Sequence, residues 1–152
     1  MSYQAARPLA PWRWLGAPTL ACILATLLFA TPIKIFGLQL PEPVFALVPA
    51  FAWAVIRPSL LAPAFLLGMG LFLDLLWGGP LGLWPLAMLI GYAGILLSRN
   101  MMTGQSRAVL WSWFALMTFL VMGAGYLLTM MDSGAAPSPM AAFWQFLPTV
   151  LL

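Results

Sequence analysis

Six apolar segments, almost free of charge, run the length of this chain and constrain what it can fold into. They cover residues 14–33, 43–56, 59–77, 80–98, 108–131 and 140–152. Hydrocarbon offers no partner to backbone N–H and C=O groups, so a chain crosses it as helices or as a closed barrel. Uninterrupted apolar runs near 20 residues read as helices. The residues are 64% hydrophobic and 6% charged, against about 25% charged in a soluble domain. The expected fold is therefore all-α: one polytopic membrane domain over residues 1–152, with six transmembrane helices.

Two of the six are unusual. The second has an apolar run of only 13 residues, 44–56, about 20 Å as a helix, short of the ~30 Å hydrocarbon core. It reaches further only by extending back through Pro43 and Pro41, and Pro49 is expected to kink it. The sixth is equally short, so it reads as a half-span or as a span that the natural chain continues. The N-terminus imitates a leader, with Arg7 and Arg13 before an apolar run. That run is long enough to span and further spans follow, so it is read as retained.

Orientation follows from the loops. With the N-terminus inside, Arg7, Arg13, Arg57, Arg99 and Arg107 are cytoplasmic, while Lys34, Glu42 and Asp132 are outside. Basic residues concentrate in cytoplasmic loops, and six spans return the C-terminus to the same side. The net charge of +3 comes from residues set singly, which form no patch for nucleic acid.

Asp74 breaks the pattern. It lies near the end of the third segment, 17 residues after Arg57, or about 25 Å along a helix. An acid in lipid is expensive unless paired, which marks it as a functional-site candidate. Gly78-Gly79 turns the chain into an antiparallel helical hairpin, folding the free N–H groups of the next helix, around Leu81 to Leu83, back toward the carboxylate. Asp74 is expected to accept hydrogen bonds from them, and Asp74→Asn, which keeps an acceptor, is expected to be mild.

The remaining features are weaker. Small residues at four-residue spacing (Ala21/Ala25, Ala46/Ala50/Ala54, Ala64/Gly68, Ala87/Gly91) permit close helix approach. The stripe Ala46-Ala50-Ala54 is the best of these, facing either the interior or a partner helix. The tryptophans fall mostly near segment ends and read as interfacial belts. Met101-Met102 and Met130-Met131 read as packing at loop edges, and Cys22 stands alone. Histidine is absent, and no segment holds paired carboxylates, a phosphate loop or a nucleophile elbow. No catalytic, cofactor or metal site is expected, and the chain reads as a non-enzyme.

The stretch Gly70-Leu-Phe-Leu-Asp74-Leu-Leu-Trp-Gly78-Gly79-Pro80-Leu81-Gly82, with Trp53-Ala-Val-Ile-Arg57-Pro58 before it, resembles the bacterial rod shape-determining protein MreD family. That family's hallmark is Gly-x-x-x-Asp-Leu-x-x-Gly-x-Pro-Leu-Gly, and residues 70–82 match at every position. The Arg57-Pro58 pair is similar to its alphaproteobacterial branch. The resemblance implies a non-catalytic inner-membrane subunit of the cell-elongation machinery, without cofactors. Such a subunit binds the bitopic protein MreC and through it links MreB filaments to the wall polymerase and transpeptidase, with higher-order assembly of the MreC–MreD complex. It also implies a fold similar to the substrate-binding subunits of energy-coupling-factor vitamin transporters. A small-molecule or lipid-binding module is the alternative that this likeness raises.

Overall fold

Each apolar segment forms a helix, and each helix begins where proline, serine or glycine chemistry lets it. The computed structural model describes residues 12–30, 34–35, 38–39, 42–134 and 138–152. A π-helical stretch, Trp12–Gly16, runs directly into α1, Ala17–Phe29. Two short strands follow, β1 at Lys34–Ile35 and β2 at Leu38–Gln39, paired antiparallel with Lys34 opposite Gln39. Then come α2 (Leu47–Ile56), α3 (Ala62–Trp77), α4 (Leu83–Met102), α5 (Arg107–Ser133) and α6 (Pro139–Leu151). Prolines open α1, α3 and α6, where the missing N–H has no intrahelical partner to lose. At the start of α5 the Ser106 hydroxyl accepts from the Val109 N–H at 3.4 Å, an N-cap that satisfies a free donor.

Two stretches are long and apolar enough to cross a membrane, Trp12–Phe29 with 18 residues and Arg107–Asp132 with 26. The outward surface agrees with that. Every helix presents large apolar side chains to its surroundings, among them Leu28, Ile56, Leu75, Leu97, Phe119 and Trp144. Soluble monomers rarely expose apolar area on this scale, whereas the hydrocarbon of a bilayer would solvate it.

The interior centres on α4, which packs against α2, α3 and α5. Small residues let the backbones close. Ala46, Ala50 and Ala54 are buried, so this stripe serves internal packing rather than a partner helix. On α4, Ala87 is fully buried, and a Cβ at Gly91 would collide with Val121 of α5. Ala64 and Gly68 face outward instead, with nothing within 4 Å of a Cβ at Gly68.

The structure corrects four expectations about the elements. Pro49 does not interrupt α2: the helix starts at Leu47, so Pro49 lies in its first turn, where no intrahelical hydrogen bond is lost. The residues before it, 42–46, are non-helical, which leaves α2 with 10 residues, about 15 Å, rather than a span reaching back through Pro43. The α3–α4 connection is Gly78 to Gly82, longer than Gly78-Gly79 alone. Finally, α4 continues past Ser98 to Met102 and α5 through Asp132, so Arg99 and Asp132 are helical residues rather than loop residues. Arg7 and Pro41 lie outside the described residues.

Candidate functional site at the α3–α4 hairpin

Gly70 and Asp74 are four residues apart on α3 and so share a face. That face meets the start of α4. A Cβ on Gly70 would lie 2.6 Å from Pro85 Cα, far inside van der Waals contact, so only glycine permits this approach. The closeness brings the Asp74 carboxylate, 1% exposed, level with the first turn of α4.

The turn between them is built from two left-handed residues. Gly78 (φ 65°) ends α3, and its N–H and that of Gly79 both donate to the Asp74 carbonyl, the latter at 3.2 Å. Gly82 (φ 98°) turns the chain again into α4. Both conformations are steric outliers for residues with a Cβ.

Asp74 then finishes what the turn begins. Its Oδ2 accepts from the Gly82 N–H at 2.6 Å and its Oδ1 from the Trp84 N–H at 3.0 Å. The Leu83 N–H donates to the Pro80 carbonyl at 3.2 Å, Pro85 has none, and the Leu86 N–H donates to the Gly82 carbonyl at 3.0 Å. Every N–H in the first turn of α4 thus has a partner, and without the carboxylate those of Gly82 and Trp84 would lack one. The sequence places the donors around Leu81 to Leu83; the structure places them on Gly82 and Trp84. A carboxylate bridging two backbone N–H groups at the positive end of a helix is a strong, charge-assisted arrangement.

Each position of the motif acquires a physical role except Leu75 and Leu81, both 73% exposed. Gly70 allows contact, Asp74 clamps, Gly78 and Gly82 turn, and Pro80 supplies a carbonyl. Neither leucine takes part in these bonds.

Three further residues complete this end and were not legible as a group. Trp77 and Trp84 flank the turn, and their rings meet edge to face at 5.0 Å. The Trp77 indole N–H donates to Glu42 Oε2 at 3.0 Å, tying the hairpin to the segment that leads into α2. The available signal was the placement of two indoles on either side of a tight turn, which necessarily brings them together.

The opposite end gathers four arginines. Arg57 follows α2 with φ −149° and ψ 76°, the non-helical geometry that a following proline, Pro58, imposes. Its guanidinium lies 5.0 Å from the Trp14 ring centroid, a cation–π contact. The Trp53 indole N–H donates to the Trp14 carbonyl at 3.0 Å. Because α3 and α4 are antiparallel, the start of α1, the end of α2, the end of α4 and the start of α5 share this end. Arg13, Arg57, Arg99 and Arg107 therefore do too.

Chemically, the hairpin site positions helices. Both Asp74 oxygens are engaged by backbone, and no group of three His, Cys, Asp or Glu suited to a metal occurs among the described residues. No protein-family model, curated protein or solved structure matches this chain.

Proposed function

We propose that this chain is a multi-pass scaffold subunit of the bacterial inner membrane, without catalytic activity, that holds MreC within the cell-elongation complex. On this reading it couples MreB filaments to lateral peptidoglycan synthesis and so maintains rod shape. The observation that carries the reading is the Asp74 clamp. The motif behind the resemblance to MreD proteins, from Gly70 to Gly82, is the part of the chain that turns two membrane helices into one rigid hairpin. A rigid hairpin is what a partner helix needs as a docking platform, since lipid supplies no hydrophobic drive and association rests on packing.

The orientation proposed with it puts both termini in the cytoplasm after six passes. Four arginines at one end of the bundle, with Glu42 and Asp74 at the other, support that direction. The short α2 crosses only as a half-helix joined to the non-helical residues before it.

Affinity capture of the tagged chain from native membranes tests the reading. MreC and the wall-elongation proteins should co-elute in detergent. Their absence from an eluate containing intact, folded bait would reject the scaffold function. Thermal stabilisation of the purified protein by a vitamin, in that same preparation, would favour the small-molecule alternative.

A further inference from the structure

Away from the hairpin, α2 and α5 diverge around an apolar groove of about 240 Å³. Val48, Phe51 and Ala52 form one wall, Leu110, Trp111 and Phe114 form the other, and Leu152 lines it beside them. Two contacts hold the walls in place. The Trp111 indole N–H donates to the Val150 carbonyl at 3.1 Å, and Phe51 meets Phe114 edge to face at 5.5 Å.

Arg107 opens α5, one turn ahead of the groove residues. It precedes Leu110, Trp111 and Phe114 by three, four and seven residues, so it belongs to the same face of α5. Helical side chains lean toward the N-terminus, which directs the guanidinium away from the groove and toward the end of the bundle. Arg107 is exposed and forms no ion pair among the described residues.

We infer that this groove holds one acyl chain of an anionic phospholipid, whose headgroup phosphate is paired by Arg107. An apolar cavity in a helix that is long and apolar enough to span a membrane opens onto hydrocarbon, and the cation one turn above it matches the depth of the phosphate layer. A volume of about 240 Å³ admits a run of methylenes and is too small for a helix, about 10–12 Å across. The inference rests on the membrane reading and not on any binding to MreC.

The test is native mass spectrometry of the protein released from nanodiscs containing equal phosphatidylglycerol and phosphatidylcholine. The wild type should retain one phosphatidylglycerol in preference to phosphatidylcholine. Arg107→Gln should reduce that preference about five-fold, the contribution of one cation near an anionic surface, while leaving the fold unchanged because the residue is exposed. Val48→Phe, at a half-exposed wall position, should lower retention of both lipids. Retention of no lipid, or retention that neither substitution alters, would overturn the inference. So would displacement of the lipid by a co-purifying protein segment in the groove. Failure of MreC capture with intact lipid retention would reject the scaffold function alone.

Discussion

Gly70 rests against the backbone of Pro85, and this single contact determines whether Asp74 reaches the start of α4. The two helices approach so closely there that a methyl group would force backbone, not side chain, to move. Gly70→Ala should therefore destabilise the protein by about 1–3 kcal/mol, the usual cost of overpacking. Gly68→Ala, two residues away with open space around it, should be neutral or slightly stabilising through helix propensity. Thermal unfolding of the two purified variants in one detergent separates them; equal behaviour would show that the contact carries no strain.

The Asp74 series has an order that the sequence alone did not suggest. Keeping one acceptor, as asparagine does, is not enough, because the carboxylate uses one oxygen for Gly82 and the other for Trp84. In Asp74→Asn the amide NH2 must face one of these N–H groups, donor against donor. Asparagine should cost about 1–2 kcal/mol and leucine, which orphans both donors, about 2–4 kcal/mol. On the proposed rod-shape function, protein level and cell shape in a depleted strain distinguish this from a proton- or ion-coupling role for Asp74, which both substitutions would abolish without changing protein level. Graded loss of protein follows from the clamp. Normal levels of both variants with equal loss of shape would reject it.

Much of this arrangement was legible because its causes are local. Gly78, Gly82 and Asp74 act within 10 residues of one another, so turn chemistry and free helix donors reveal their pairing. What escaped was set by distance in sequence. Glu42 reaches Trp77 across 35 residues and Val44 reaches Thr149 across 105, and no periodicity encodes such partners. The tryptophans read as interfacial anchors when taken singly, yet Trp53 is 5% exposed and bonded inside the protein. Pro49 misled for a related reason. Proline marks a kink inside a helix and a start at its first turn, and only the unwinding of residues 42–46 decides which applies.

Arg57 offers a test of the cationic end. Its contact with the Trp14 ring is exposed, which places its contribution near 0.5–1 kcal/mol. Arg57→Lys should retain most of that and Arg57→Gln should lose it. On the proposed orientation, a cysteine introduced at Arg107 in the same background should stay labelled from the cytoplasmic side only. A loss much larger than 1 kcal/mol in Arg57→Gln would show that the arginine has a partner beyond Trp14.

Two buried threonines make the same substitution act with opposite sign. Thr149 Oγ1 accepts from the Val44 N–H at 3.0 Å while donating to the Gln145 carbonyl at 2.7 Å, so α6 satisfies a donor just ahead of α2. Thr149→Val has the right shape but leaves that buried N–H without an acceptor, and should cost about 1–3 kcal/mol; Thr149→Ser should restore most of it. The Thr118 hydroxyl is equally buried on α5 and has no hydrogen-bond partner among the described residues. Removing it relieves an unpaired polar group, a burden of about 1–3 kcal/mol in protein interiors. Thr118→Val should therefore raise the unfolding temperature while Thr149→Val lowers it, measured by the same thermal scan in detergent. If Thr118→Val also destabilises, its hydroxyl has a partner in the membrane-embedded protein.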